Sequence, residues 1–173
     1  LRMLQFNSRS ASYFRVLIAE DDQRFRVMLE DALSEFGFYK MIAVGSAAEA
    51  LEYLEAHRVG FRYDFIISDW EMPGMDGITF LKTIRQSTEI PDFSIPILFC
   101  TGKAQKRHVI QARDMGATEI LAKPFTVTQL AEKITSLLSK PRRFVICDRF
   151  VGPDRRRHDV PLPPHQAERR RAS

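Results

Sequence analysis

Long apolar runs are missing from this chain. No stretch reaches the roughly 18 residues that a membrane-spanning helix requires, so no helical span is expected. No secretory signal is visible at the N-terminus. Cysteine is scarce: the 173 residues hold two, Cys100 and Cys147. Cys100 lies in an apolar, strand-like run and reads as a small core residue. A disulfide is therefore not expected, and the cytoplasm is the expected compartment. The four histidines, His57, His108, His158 and His165, include no pair at metal-ligand spacing. That argues against a histidine-based metal centre. No internal repeat is visible, which removes solenoids and propellers.

Basic charge is present but unevenly spread. The net charge is +4, yet residues 1–138 hold sixteen Lys+Arg against eighteen Asp+Glu, while residues 139–173 hold ten against four. The body is thus a mildly acidic globule and the basic character belongs to a tail. Three units are expected: a flexible leader over 1–12, a folded domain over 13–139, and a basic, Pro/Arg-rich extension over 140–173 that is partly disordered. The extension contains Pro141, Pro153, Pro161, Pro163 and Pro164, with Arg155-Arg156-Arg157 and Arg169-Arg170-Arg171. Within it only Phe144-Val145-Ile146 and Phe150-Val151 look buryable. The first can add a strand or pack on a neighbouring molecule, with Gly152-Pro153-Asp154 as a turn. No helix-turn-helix or catalytic output domain fits in a segment of this length.

The body alternates short apolar runs with amphipathic ones. Phe14–Ala19, Tyr39–Val44, Phe65–Ser68, Ile95–Cys100 and Glu119–Ala122 read as buried strands. Between them, Phe25, Met28, Leu29, Ala32, Leu33 and Phe36 lie on one helical face, and Gly37 stops that helix. Ser46 and Glu49 have capping-box spacing ahead of Ala50, Leu51 and Leu54. Further helices run from about Gly77 to Arg85, from Lys103 to Met115, and through Val127, Leu130, Ile134, Leu137 and Leu138. Five strands alternating with five helices predict an α/β, doubly wound, five-stranded parallel sheet with helices on both faces. The flavodoxin-like order 2-1-3-4-5 is the simplest right-handed solution.

In such a sheet, chemistry sits just beyond the carboxyl ends of the strands. The first strand ends at Glu20 and Asp21, the third at Asp69, the fourth at Thr101 and the fifth at Lys123. Crowded carboxylates repel one another unless a cation neutralises them. Oxygen ligands select a hard ion, and Mg²⁺ suits a loose, hydrated site. A carboxylate beside such an ion can attack a phosphoryl group to give an acyl phosphate. Thr101, Lys123 and backbone N–H groups after Asp69 can meet the charge on the transferring group.

The fragments Ala19-Glu20-Asp21-Asp22, Ser68-Asp69-Trp70-Glu71-Met72-Pro73-Gly74-Met75-Asp76-Gly77, Phe99-Cys100-Thr101-Gly102 and Gly116-Ala117 followed by Lys123-Pro124-Phe125 occur in that order. Together they resemble the receiver domain of two-component response regulators, over roughly residues 14–138. The resemblance implies that Asp69 is the phosphoacceptor. It implies that Asp21 and Asp69, Glu20 and the backbone carbonyl of Glu71 serve Mg²⁺, with Glu20 acting through water. Thr101 is then the switch hydroxyl, Lys123 the phosphate-binding lysine, and the Lys123–Pro124 bond is cis. The acid triplet admits a one-residue slip; the chosen register puts Asp22 at the helix cap and Phe25 on the core face. Two positions depart from the family pattern. Ile120 stands where receivers usually carry an aromatic that follows the switch hydroxyl inward. Glu71 places an acid two residues after the acceptor.

The function expected on this resemblance is a stand-alone response regulator. It takes a phosphoryl group from a sensor histidine kinase or phosphotransfer protein, shifts a protein-interaction surface, and acts on an output protein or as a homodimer. It is expected to be a signalling domain rather than an enzyme, with at most slow self-phosphorylation from small phosphodonors and autodephosphorylation. The basic tail leaves a second class open, a phosphorylation-independent binding module, although a nucleic-acid partner is not favoured. A third is a haloacid-dehalogenase-like phosphatase, which Asp69-x-Glu71 faintly resembles. The order of its acids argues against it, since that family's nucleophile follows the first strand. A stretch like Phe-Val, then Phe-x-Gly-Pro-Asp-Arg-Arg-Arg, resembles an extension on some small stand-alone receivers.

Overall fold

The structure, a computed structural model, describes residues 11–56, 62–90, 92–102, 110, 112, 115–139, 144–147 and 150–153. The elements are β1 (Arg15–Ala19), α1 (Gln23–Glu35), β2 (Lys40–Val44), α2 (Ala47–Ala56), β3 (Phe65–Asp69), α3 (Gly77–Gln86), β4 (Ile97–Thr101), β5 (Glu119–Ala122), α4 (Val127–Ser139), β6 (Phe144–Cys147) and β7 (Phe150–Pro153). The helix expected over Lys103–Met115 falls mostly outside the described residues; Ile110 and Ala112 are helical. The arginine runs at 155–157 and 169–171 lie outside them altogether.

β1 to β5 form one parallel sheet in the order β2-β1-β3-β4-β5. The central strands are apolar at almost every position because both faces are covered. Alternate residues serve opposite layers. Leu17, Ile66, Ile97 and Phe99 face α2 and α3, meeting Ala50, Leu54, Phe80, Leu81 and Ile84. Val16, Ile18, Phe65, Ile67, Leu98 and Cys100 face α1 and α4, meeting Leu29, Leu33, Leu130 and Ile134. Ala11, placed in the leader by the sequence reading, is buried in this second layer, and its carbonyl accepts from Phe14 N–H at 3.1 Å.

Local chemistry sets the element ends. Asp22 caps α1, accepting from Arg24 N–H at 2.8 Å and Phe25 N–H at 3.0 Å. Ser46 Oγ accepts from Glu49 N–H at 3.1 Å, while Glu49 reaches back to Gly45 N–H at 3.1 Å. That is the expected capping box displaced by one residue on its return arm. β4 begins two residues later than expected. Pro96 cannot donate to the ladder, although its carbonyl accepts from Ile66 N–H at 2.9 Å.

The tail departs from the expected turn at Gly152-Pro153. Phe144–Cys147 pair antiparallel with Phe150–Pro153, so Gly152 and Pro153 lie in a strand and not in a turn. The two apolar pieces are close enough in sequence to pair with each other. A two-stranded ribbon alone is marginal in water and needs a surface to lie on. Here β7 approaches α3 to within 8 Å between Cα atoms, and Gly152 is buried.

Candidate functional site

The register of the sheet brings the candidate residues to one rim. Ala19 pairs with Ser68, so Glu20 comes level with Asp69. Asp69 pairs with Cys100, one residue before Thr101. Thr101 pairs with Ala122, and Lys123 follows directly. Four strand ends therefore deliver five side chains: Glu20, Asp21, Asp69, Thr101 and Lys123. Single carboxylate oxygens of Glu20, Asp21 and Asp69 lie within 4.8 Å of one another. Glu20 and Asp69 are buried, whereas Asp21 is exposed.

Lys123 threads into this group. Its Nζ donates to Glu20 Oε2 at 2.8 Å and stands 3.2 Å from Asp69 Oδ2. The other oxygen, Oδ1, accepts from Trp70 N–H at 2.6 Å and from Glu71 N–H at 3.4 Å. Glu71 thus meets the acceptor through its backbone, and its side chain is exposed. Thr101 is buried at the end of β4, and its carbonyl accepts from Lys123 N–H at 2.8 Å. Ile120 packs against the cluster holding Trp70 and Phe99 and is Phe99's partner in the sheet. The Lys123–Pro124 peptide is cis.

The electrostatics follow from one ammonium shared by two buried acids. Burial pushes the Glu20 carboxyl above the usual range, and the charge of Asp69 adds to it, against the pull of Lys123. Burial alone would lower the Lys123 ammonium; the hydrogen bond to Glu20 and the charge of Asp69 outweigh it and hold it above its ordinary value. The carboxylates exceed the ammonium in number, and all donors are oxygens. This set fits a hard divalent cation such as Mg²⁺.

Several residues escaped the sequence reading. Trp70, the residue after Asp69, is buried, with its indole edge-on to Phe99 at 5.2 Å. The cause is Gly77, whose N–H donates to Trp70 O at 2.8 Å and which draws the loop onto α3. Arg26 Nη1 donates to the Glu20 carbonyl at 2.5 Å and braces the turn after β1. The Phe25 ring, placed on the core face by its spacing, has the Lys123 ammonium 4.0 Å above its centroid. No sequence signal distinguishes that contact from ordinary packing, because it joins residues far apart in the chain.

The fold has counterparts among known proteins. Residues 16–135 match the family described as the response regulator receiver domain. The chemotaxis protein CheY-3 of Vibrio cholerae is 31% identical over 126 residues, which cover 73% of this chain and 92% of that protein. Among solved structures, the V. cholerae chemotaxis protein CheY4 aligns with a TM-score of 0.63 at 30% identity, covering 72% of this chain and 98% of that one. The receiver domain of the Pseudomonas aeruginosa sensor histidine kinase PA1611, solved with a magnesium ion in its active-site cleft, aligns with a TM-score of 0.62 at 25% identity, covering 73% and 98%. The chain belongs to the response regulator receiver family.

Proposed function

We propose that Asp69 accepts a phosphoryl group from the phosphohistidine of a sensor histidine kinase or a phosphotransfer protein, and that the acyl phosphate shifts a protein-interaction surface. The observation that carries this reading is the setting of the Asp69 carboxylate. One of its oxygens is held by Trp70 N–H at 2.6 Å and the other faces Lys123 at 3.2 Å, beside two further acids.

In the transfer step a carboxylate oxygen of Asp69 attacks phosphorus in line. The new P–O bond forms as the P–N bond to the donor imidazole breaks. The electron pair stays on that nitrogen, which takes up a proton. Lys123 meets the charge on the equatorial oxygens, and the Thr101 hydroxyl donates to the phosphoryl group. Trp70 N–H orients the carboxylate before reaction, so little reorganisation remains. Glu20, Asp21, Asp69 and the Glu71 backbone carbonyl would hold Mg²⁺, which supplies positive charge opposite the phosphoryl oxygens.

Movement of Thr101 toward the phosphoryl group biases a pre-existing equilibrium of the surface near β5 and α4. Ile120 gives that relay an aliphatic side chain in place of a swinging ring. Output is a changed affinity for a partner protein or for a second copy. Residues 13–139 make the receiver and 140–173 an extension to it, and the protein works in the cytoplasm. It stores a phosphoryl group and does not turn over a substrate, apart from slow self-phosphorylation by small donors and slow loss of the group.

The test is intact mass after incubation with Mg²⁺ and acetyl phosphate, for the wild type and for Asp69→Asn. One added phosphoryl group in the wild type alone, labile to hydroxylamine, is expected. No adduct from acetyl phosphate or from a panel of phosphorylated kinases would overturn the reading.

A further inference from the structure

Three partners surround the Lys123 ammonium: Glu20 Oε2 at 2.8 Å, Asp69 Oδ2 at 3.2 Å, and the face of Phe25 at 4.0 Å from the ring centroid. The ring is held from two sides. Its backbone N–H donates to the Asp22 cap at 3.0 Å, and its ring meets Phe125 nearly at right angles, with centroids 5.4 Å apart. Phe125 lies two residues beyond Lys123. The start of α1 and the loop after β5 thus close on one aromatic face, and the ammonium lies over it.

The three partners differ in kind. Glu20 and Asp69 belong to the acid cluster that fits a divalent cation. Once those carboxylates are shared with such an ion, their pull on Lys123 weakens and the ion's own charge repels the ammonium. An aromatic face is different. It attracts a cation through its quadrupole and offers no oxygen to a hard ion. Its hold on Lys123 therefore persists where the carboxylates' hold does not. The side chain of Lys123 is 20% exposed and Phe25 is half-buried, so the contact is partly removed from water.

We infer that Phe25 is a positioning residue that keeps the Lys123 ammonium in the pocket, ready for an incoming phosphoryl group, when Glu20 and Asp69 are shared with a divalent cation. The inference rests on the reading of Lys123 as the phosphate-binding group, and its test separates the two.

The first arm needs no phosphoryl transfer. In full-length protein labelled with ¹³C-lysine, the Hε resonances of Lys123, assigned by their loss in Lys123→Arg, are expected to be shifted upfield by the Phe25 ring current. The shift is expected to persist at saturating Mg²⁺ and to vanish in Phe25→Leu. Its collapse on adding Mg²⁺ to the wild type would overturn the inference, even if Asp69 is phosphorylated normally.

The second arm is the rate of phosphoryl uptake from acetyl phosphate with Mg²⁺. Phe25→Leu, which keeps an apolar side chain, is expected to slow uptake by about five-fold, the size of a partly desolvated cation–π contact. Phe25→Tyr, which keeps the aromatic face, is expected to restore it. Should leucine disturb folding, successive fluorination of the Phe25 ring serves instead: the rate is expected to fall stepwise as the quadrupole weakens. A rate unchanged across the leucine or fluorinated variants would overturn the inference. Absence of uptake in the wild type would instead overturn the phosphoacceptor reading, and the resonance arm would still decide the contact.

Discussion

Replacing Gly77 by alanine tests how the acceptor loop is held. Gly77 is the first residue of α3, after the Asp76 cap. On helix propensity and unfolded-chain entropy alone, Gly→Ala there would stabilise by up to about 1 kcal/mol. The structure predicts the opposite sign. A Cβ on Gly77 would lie 2.9 Å from Phe99 Cε1, 3.0 Å from Trp70 Cα and 3.1 Å from Trp70 O. Two of those atoms are backbone, tied by the 2.8 Å bond from Gly77 N–H to Trp70 O, and Phe99 is fully buried against the indole. The two backbone atoms cannot yield without moving the loop that follows Asp69. Overpacking of this kind costs about 1–3 kcal/mol. The expected net loss is about 1 kcal/mol, the middle of that range less the full propensity gain. Urea unfolding followed by the fluorescence of Trp70, the chain's single tryptophan, measures it directly. Gly102→Ala is the control: its Cβ would meet nothing closer than Glu71 Oε2 at 3.9 Å, so a change within about 0.5 kcal/mol is expected. Equal stability of the two variants, or a more stable Gly77→Ala, would refute the close-approach argument.

Asp76→Ala removes the α3 cap, which accepts from Thr79 N–H at 2.8 Å, and should cost about 1 kcal/mol at neutral pH. That hydrogen bond holds the Asp76 carboxyl below its ordinary range. Its stabilisation is therefore full above the unfolded-state value and fades as pH falls through the lower folded-state one, so wild type and variant should converge in acid unfolding titrations. Arg85→Met should cost about 2–4 kcal/mol in urea unfolding, since the buried guanidinium donates to the carbonyls of Phe93, Ile95 and Gly116, and three acceptors would lose a charged donor; a loss under 1 kcal/mol would contradict it. Deleting residues 140–173 should speed amide exchange in α3, which β7 approaches, and leave α1 and α4 unchanged. Uniform exchange in all helices would show that the hairpin gives α3 no local support.

The parallel sheet was legible because its strands are buried on both faces and read as short continuous apolar runs. The rim was legible for a related reason: a charged or hydroxyl residue directly after such a run has nowhere to go but the strand end. Asp22 could be separated from the acid pair because only one register leaves Phe25 and Leu29 inward, and the cap follows. What stayed hidden depends on distant parts of the chain. Arg85 enters the sequence pattern only as the end of the helix that starts at Gly77. It is buried because carbonyls from the loop before β4 and from Gly116 converge on it. Burial pushes its guanidinium down to about 10, a cost those hydrogen bonds must offset. The burial of Trp70 stayed hidden because the bond from Gly77 N–H to its carbonyl is a packing event with no periodic signal. In the tail, Gly152-Pro153-Asp154 has turn composition, but Phe144–Cys147 offers β7 a partner strand, and pairing overrides local preference.

The charge count at the rim explains why these residues make sense as a set. Glu20, Asp21 and Asp69 against Lys123 leave the pocket two negative charges in excess. A phosphoryl group brings further negative charge, so the bare pocket repels it. A second lysine would reduce the excess but would pair permanently with the buried acids, as Lys123 already does with Glu20. A divalent cation offsets the excess in full and can leave. The arrangement also accounts for the exposure of Asp21. Glu20 and Asp69 are buried beside Lys123, and burying Asp21 as well would add a third desolvated carboxylate to a single ammonium. At the solvent edge, Asp21 keeps its hydration until a cation arrives, and the folded state carries only two buried acids on one base.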